Sequence, residues 1–259
     1  ILIGQINVAE PIADSLAAEV PVEKTLSILE LITSGGVGGT IIMVSLFVLS
    51  IIAIYIFVER YITIKNAAKE DENFMNQIKD FIHDGKLEAA RSLCKSTPTP
   101  ISRMIEKGVN RIGKPLADIA AAIENTGKLE LFKLETNLAT LATISGAAPM
   151  IGFLGTVIGM ILAFHQMAAA GGNIDVAMLS EGIYTAMVTT VAGLVVGIIA
   201  FIGYNLLVAK VEKVVFKMEA RTTEFLDILN EQKEKIKIKK YLPLVKKFRL
   251  EFNSLITRI

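Results

Sequence analysis

The side chains that could take part in chemistry are a few hydroxyls set among glycines inside long apolar segments. One group falls close to a single helical face, at spacings of three, four and seven residues, and consists of Ser145, Gly152, Thr156, Gly159, Ala163 and Gln166. A second group does much the same and consists of Gly182, Thr185, Thr189, Thr190, Gly193 and Gly197. A hydroxyl can relay a proton but cannot hold one as a charge at neutral pH. These faces therefore predict the wall of a polar pathway.

The same small residues have a second interpretation, which is close packing of two helices. Gly155 with Gly159, and Gly193 with Gly197, have the GxxxG spacing that lets membrane helices approach each other. The two interpretations are compatible, because small residues can pack against one helix and still leave a pore wall open. We assign these four glycines to helix packing and Gly152 to the pathway wall.

The sequence contains none of the common enzyme motifs. It has no phosphate-binding loop after a strand, no nucleophile elbow, no HExxH and no paired cysteines. The two histidines, His83 and His165, fall in different predicted compartments, and Cys94 is the single cysteine. We therefore expect no enzyme, no metal ion, no cofactor and no nucleic-acid partner.

The composition indicates a membrane protein. Of the 259 residues, 52% are hydrophobic, and the mean hydropathy is +0.53. Three apolar runs, residues 37–58, 136–174 and 182–209, are long enough to cross a hydrocarbon layer, which takes about 20 helical residues. No strand-like alternation is present. The prediction is an all-α integral membrane protein with three transmembrane helices.

The distribution of Lys and Arg predicts the topology. Lys24 alone precedes the first run, whereas many basic residues lie between the first and second runs and after the third. Basic residues collect on the cytoplasmic side, so the N-terminus is expected outside and the C-terminus inside. The predicted segments are a periplasmic N-terminal segment with an interfacial helix (1–36), the first span (37–62), a cytoplasmic helical region (63–135), the second span (136–168), a periplasmic loop (169–179), the third span (180–209) and a cytoplasmic helix with a basic tail (210–259).

The cytoplasmic region is predicted to contain short amphipathic helices, with a turn at "HDGK" and a break at "STPTP". The second span is expected to continue a nearly unbroken helix from Pro115, and the third span to continue beyond residue 210. These two extensions would pack as a cytoplasmic helical bundle. The basic segment 232–259 is expected to be a surface helix or tail near anionic lipid, with a specific partner as the alternative.

None of the three apolar runs, 37–58, 136–174 and 182–209, contains an Asp, Glu, Lys or Arg residue. A proton or sodium route through a membrane needs a titratable or liganding group at that depth. If this chain conducts ions, a partner must therefore bring the carboxylate.

The stretches "GAAPMIGFLGTVIGMILAF" and "SEGIYTAMVTTVAGLVVGIIAFIGYN", with "SIIAIYIFVERYITI" and "HDGKLEAARSLC", resemble the ExbB/TolQ/MotA family of ion-driven motor subunits, most closely its ExbB members. Three spans favour ExbB or TolQ over MotA. The resemblance implies a homopentamer whose second and third spans line a central pore. It also implies a dimeric single-span partner of the ExbD or TolR type, whose aspartate carries the proton.

By motif position, the pore threonines of that family fall on Thr156 and Thr190. Thr185 stands where the family often has a glutamate, and Glu181, one turn nearer the periplasmic mouth, is the candidate to substitute for it; an interfacial surface charge is the alternative. The resemblance implies a subunit of the bacterial inner membrane that uses the proton motive force to energise outer-membrane transport through a TonB-like protein. The alternatives are a TolQ-like role in envelope integrity and division, and a non-conducting scaffold.

Overall fold

The structure is a computed structural model that describes residues 36–69, 73–169 and 176–256. The predicted periplasmic segment before residue 36, its interfacial helix and most of the periplasmic loop lie outside these residues. The helices are α1 (Gly36–Ala67), α2 (Phe74–His83), α3 (Leu87–Ser96), α4 (Pro100–Val109), α5 (Leu116–Glu135), α6 (Leu138–Ala169) and α7 (Val176–Ile256).

Three helical segments are long and apolar enough to cross a membrane. They lie in α1, in the α5–α6 segment and in α7. Within the described ranges every regular element is a helix, and no strand occurs. The predicted all-α membrane architecture with three spans is therefore confirmed.

The short helices α2, α3 and α4 begin and end where the sequence places turn residues. Gly85, in the turn between α2 and α3, has φ +73°, a backbone conformation that glycine adopts without steric cost. At the start of α4, Thr99 and Ser102 form a capping box, in which each side chain bonds the backbone N–H of the other. The predicted turn at "HDGK" and the predicted break at "STPTP" are both confirmed.

The short helices and the lower half of α7 enclose an apolar core beneath the predicted spans. Ile78 and Ile82 of α2, Ile105 of α4 and Ile123 of α5 are almost fully buried there with Phe225 of α7. The core is built on α7 because this helix continues unbroken out of the third span. At about 1.5 Å per residue, its 81 residues measure roughly 120 Å.

The expected continuous helix from Pro115 into the second span is wrong at one point. α5 ends at Glu135 and α6 begins at Leu138, and Asn137 between them has φ +65°. Asparagine adopts this left-handed conformation more easily than most residues, which makes it a common residue just after a helix end. The second span and the helix that precedes it are therefore two separate helices.

Arg60 of α1 stabilises the end of α5. Its side chain is 10% exposed, its Nε donates to Glu59 Oε2 at 2.7 Å, and its Nη1 donates to the carbonyl of Lys133 at 2.9 Å. A cation is favourable at a helix C-terminus, where the last carbonyls lack helical donors. The first span therefore binds the chain directly at the interruption between α5 and α6.

Glu130 ties α5 to α4 through a buried ion pair. Its side chain is only 4% exposed, and it accepts hydrogen bonds from Arg103 and, at 2.7 Å, from Lys133 Nζ. Burial raises the pKa of Glu130, but the bonds and charges of Arg103 and Lys133 outweigh it, and the net pKa lies below the usual value. The folded state therefore favours the ionised carboxylate.

We expect Arg103→Ala to lower stability near neutral pH by about 1 kcal/mol, a small value because Arg103 is partly exposed. Since the folded-state pKa of Glu130 is lowered, its pairing stabilises the fold above the unfolded pKa and is lost as pH falls through the folded pKa. The difference in melting temperature between wild type and variant should therefore narrow in acid.

Lys128→Ala is the matched control, because Lys128 pairs with Glu124 at 2.8 Å on the exposed surface of the same helix. It should leave the melting temperature unchanged. A difference between Arg103→Ala and wild type that stays constant down to acid pH would rule out the Glu130 pairing as its source.

Candidate functional site

The second and third spans approach each other most closely around Gly152 of α6. Thr190 Oγ1 donates to the carbonyl of Gly152 at 3.1 Å, and Thr189 Oγ1 lies 3.3 Å from the same oxygen. Thr189 has a shorter bond, 2.7 Å, to the carbonyl of Ala186 in its own helix. Because a hydroxyl has one proton to donate, Thr190 is the better donor between the two helices.

Glycines on both helices make this approach possible. A Cβ added to Gly152 would lie 2.8 Å from the Thr189 carbonyl oxygen, and one added to Gly193 would lie 2.6 Å from the Ala148 carbonyl oxygen. A Cβ added to Gly155 would lie 2.7 Å from the Cβ of Thr189. Each distance is shorter than a normal van der Waals contact, so any larger residue must push the helices apart.

The contact continues above and below this crossing. A Cβ on Gly159 would lie 2.9 Å from Ala186 Cβ, and one on Gly197 would lie 2.5 Å from Pro149 Cγ. The ring of Pro149 removes one backbone donor from α6, and Gly197 allows α7 to lie against that ring.

The threonines differ in their exposure within one chain. Thr185 and Thr189 are buried, at 8% and 3% exposed, whereas Thr156 and Thr190 are half-buried. Thr156 Oγ1 bonds the carbonyl of Phe153 in its own helix at 2.6 Å, and Thr185 Oγ1 bonds the Glu181 carbonyl at 3.0 Å. Thr156 and Thr190 are thus the two hydroxyl residues of this set with surface left to meet another molecule.

The structure brings together Gly152, Thr189, Thr190 and Gly193, and it leaves Glu181 exposed and outside that contact. The sequence analysis assigned Gly152 to the pathway wall and Gly155 to helix packing. Within the chain, both glycines contact α7. The assignment of Gly152, Thr156, Thr185, Thr189, Thr190 and Glu181 to a pore in an assembly stays a prediction.

Sequence reasoning missed Gly182 and Ala186 as packing residues. A Cβ on Gly182 would lie 2.6 Å from Ala163 Cβ, and Ala186 faces Gly159. Their spacing of four residues repeats that of Gly193 and Gly197 on the same helix, which is the signal that could have identified them. The packing surface on the third span therefore extends from Gly182 to Gly197.

Acidic and metal-binding groups do not converge on this contact. Among the residues that the structure describes, no group of three or more His, Cys, Asp or Glu side chains could hold a metal ion. The polar atoms available within it are hydroxyls and backbone carbonyls. Such a surface can orient water or a neighbouring helix, but it cannot store a proton.

The comparisons with known proteins cover the same part of the chain. Residues 96–220, which contain every residue of the α6–α7 contact, match the MotA/TolQ/ExbB proton channel family. The chain is 30% identical over 198 residues to the putative biopolymer transport protein ExbB homolog of Methanothermobacter thermautotrophicus, covering 74% of this chain and 67% of that protein. The chain belongs to the MotA/TolQ/ExbB proton channel family.

Other relatives carry ExbB and TolQ names. The putative biopolymer transport protein ExbB-like 2 of Helicobacter pylori is 44% identical over 92 residues, covering 36% of this chain and 60% of that protein. The Tol-Pal system protein TolQ of Haemophilus influenzae is 26% identical over 219 residues, covering 80% of this chain and 95% of that protein. This member is thus an ExbB/TolQ-type multi-pass membrane protein, and the family match ends at residue 220, within α7.

We expect Gly155→Ala to destabilise this family member by about 1–3 kcal/mol, the usual cost of overpacking a tight contact. The added methyl group would collide with the Cβ of Thr189, and α6 and α7 would have to separate. The measurement is the melting temperature of the detergent-solubilised protein, together with the amount recovered from membranes.

Gly146→Ala is the control, because a Cβ on Gly146 of the same helix meets nothing within 4 Å. Its melting temperature should match that of the wild type. Equal stability of the two variants would contradict the close α6–α7 contact.

Proposed function

We propose that this chain is the channel subunit of a proton-driven motor in the bacterial inner membrane, with the N-terminus periplasmic and the C-terminus cytoplasmic. Five copies surround a dimeric single-span partner of the ExbD type, and the complex transmits the proton motive force through a TonB-like protein to outer-membrane transport. The observation that carries the proposal is a hydroxyl-bearing α6–α7 surface in a proton channel family, in a chain whose apolar runs 37–58, 136–174 and 182–209 have no carboxylate.

The missing carboxylate supports a partner subunit. Thr156 and Thr190 can order water or contact a neighbouring helix, but the charge-carrying group must come from elsewhere. An aspartate on a single-span helix inside the ring supplies it. Thr185 replaces a residue that is often acidic in the resembled family, and the exposed Glu181 is the nearest carboxylate of this chain on the same helix.

Large apolar side chains outside the predicted spans support the oligomer. Leu129 and Phe132 of α5 are 64% and 73% exposed, and Phe216 of α7 is 73% exposed, at a level where charged residues surround them. Exposed apolar surface of this kind marks an interaction site. Phe216 also borders a groove of about 370 Å³ between the α5–α6 junction and α7, whose lining combines apolar side chains with three carboxylates: Leu131, Leu138, Val208, Val211, Val215, Glu135, Glu212 and Glu219. A neighbouring copy of this chain would cover these residues.

The proposed cycle begins when a proton from the periplasm neutralises the partner's aspartate. The neutral carboxyl group costs far less to move past an apolar wall than the ion does. A five-fold wall never matches a two-fold partner completely, so each protonation can drive a rotational step. One charge crossing about 100 mV supplies roughly 2.3 kcal/mol, so useful work requires repeated steps.

The TolQ role is the second candidate, because the TolQ relative aligns along 95% of its own length. The two roles share the channel and differ in what receives the motion. Deletion of the gene separates them: loss of TonB-dependent nutrient uptake indicates the ExbB role, and loss of envelope integrity during division indicates the TolQ role.

We expect Thr156→Ala combined with Thr190→Ala to abolish proton flux and energised uptake while the complex still assembles. Loss of two hydroxyls removes water-ordering groups but leaves the glycine contacts of α6 and α7 intact. The measurements are proton flux in proteoliposomes that contain the purified complex, and uptake in cells. Thr156→Ser combined with Thr190→Ser retains both hydroxyls and should restore flux.

Thr143→Ala is the matched control on the same span, because Thr143 is exposed and its hydroxyl bonds the Ala139 carbonyl of its own helix. It should conduct like the wild type. Full flux through an assembled Thr156→Ala, Thr190→Ala double variant would favour the scaffold role, in which the small residues serve packing alone.

A further inference from the structure

The basic tail, residues 232–259, has no role in the proposed function. α7 continues as a helix through Ile256, well beyond residue 220, where the family match ends. The cytoplasmic core packs on α7 as far as Ile228 and Leu229, and Gln232 Nε2 donates to the Ile82 carbonyl at 2.7 Å. Beyond Gln232 the helix extends another 24 residues, roughly 36 Å.

The sequence of this extension has a heptad repeat. Apolar residues recur at alternating spacings of three and four, which are the a and d positions of a coiled coil: Ile238, Tyr241, Val245, Phe248, Phe252 and Leu255. No charged residue interrupts these six positions, and the lysine pairs at 239–240 and 246–247 fall at b and c. Apolar residues also occur at the flanking e and g positions, Leu242, Leu244 and Ile256. The repeat indicates a wide apolar stripe.

A proline in this segment indicates that the helix needs packing. Pro243 lies inside α7, where it removes a backbone hydrogen bond at a cost of about 3 kcal/mol. Most helical stability in proteins comes from packing of an amphipathic face rather than from intrinsic propensity, so packing must offset that cost. Pro243 falls at position f of the heptads, the register position farthest from the a and d stripe.

The heptad stripe does not continue the face of α7 that the cytoplasmic core covers. Phe225, fully buried in the cytoplasmic core, and Phe252 are 27 residues apart, which is about seven and a half helical turns. The register of the heptad stripe therefore falls on the opposite side of α7 from the face that the core covers. A stripe on that side of α7 is suited to an occupant from outside the chain.

The distance of the stripe from the predicted membrane boundary favours another copy of this chain over lipid, and the expected position of the tail near anionic lipid stays a prediction. The third span is predicted to end at residue 209, and Ile238 follows 29 residues later on a continuous helix, roughly 44 Å away. The surface potential of a bilayer decays within a Debye length, about 8 Å at physiological salt.

We propose that residues 238–255 of neighbouring copies of this chain pack together as a parallel coiled coil below the cytoplasmic core. This inference rests on the proposed homo-oligomer, which places equivalent α7 helices side by side around one axis. The apolar a and d positions meet at the centre, and the flanking e and g residues contact the two adjacent helices. The lysines at positions b and c stay in water, where they keep the coiled coil soluble.

The test is disulfide cross-linking in the full-length complex, purified with its partner subunit and reconstituted in nanodiscs. Phe248→Cys introduces a thiol at position d, and Lys247→Cys introduces one at position c of the same turn. After oxidation with copper phenanthroline, Phe248→Cys should give about tenfold more covalent dimer than Lys247→Cys, because a disulfide forms only between closely approaching Cβ atoms. Tyr241→Cys, at the preceding d position, should behave like Phe248→Cys.

The wild type is the background control. Its Cys94 is buried, and burial, with the nearby charge of Glu106, raises the pKa of the thiol to about 12, so it should not cross-link at neutral pH. Equal dimer yields from Phe248→Cys and Lys247→Cys, or no dimer from either d-position variant, would overturn the coiled coil. Loss of the Phe248→Cys dimer when the nanodiscs contain phosphatidylglycerol would also overturn it, in favour of a lipid-bound helix.

Native mass spectrometry of the wild-type complex separates this inference from the proposed function. A pentamer whose Phe248→Cys variant fails to cross-link would refute the coiled coil and leave the proposed function standing. A monomer would refute both. A pentamer with d-position cross-links would support both.

Discussion

The close approach of α6 and α7 is the constraint on which the rest of the structure depends. At Gly152 and Gly193 the two helices touch backbone to backbone, so neither position tolerates a side chain. Membrane helices gain little from the hydrophobic effect when they associate, and tight packing with hydrogen bonds must hold them together instead. The bond from Thr190 to the Gly152 carbonyl contributes in this way, while the half-buried Thr156 and Thr190 keep surface for another molecule. The same surface thus packs α6 against α7 and presents hydroxyl groups.

The half of the chain outside the apolar spans obeys a different constraint, since water can hydrate its surface and charges can be paired. Glu130 is buried with Arg103 and Lys133, and Arg60 reaches the end of α5 from the first span. These charged groups connect helices that are distant in sequence. They lie between the apolar membrane-spanning helices and the core around Phe225.

Periodicity and turn residues predicted the three spans, the turn at Gly85 and the capped start of α4, because each depends on residues close together in the chain. The interruption at Asn137 was not predicted. It lies next to a contact between Arg60 and Lys133, which are 73 residues apart in the sequence, and local patterns do not reveal such a contact. The burial of Glu130 was not predicted either, because a buried charged residue and a solvated one give the same sequence pattern on an amphipathic helix. For the site, spacing placed Gly152 on a small-residue face, but only the fold showed which helix that face meets.

The difference between α6 and α7 has a mechanical consequence. α6 is separated from α5 by the interruption at Thr136 and Asn137, so a tilt of the second span is absorbed there. α7 has no interruption and extends about 70 Å below residue 209, so it acts as a lever. A tilt of about 5° at the membrane boundary would displace its far end by roughly 6 Å, given that helix length. Of the two helices at the site, α7 is the one that connects the third span without a break to the core around Phe225.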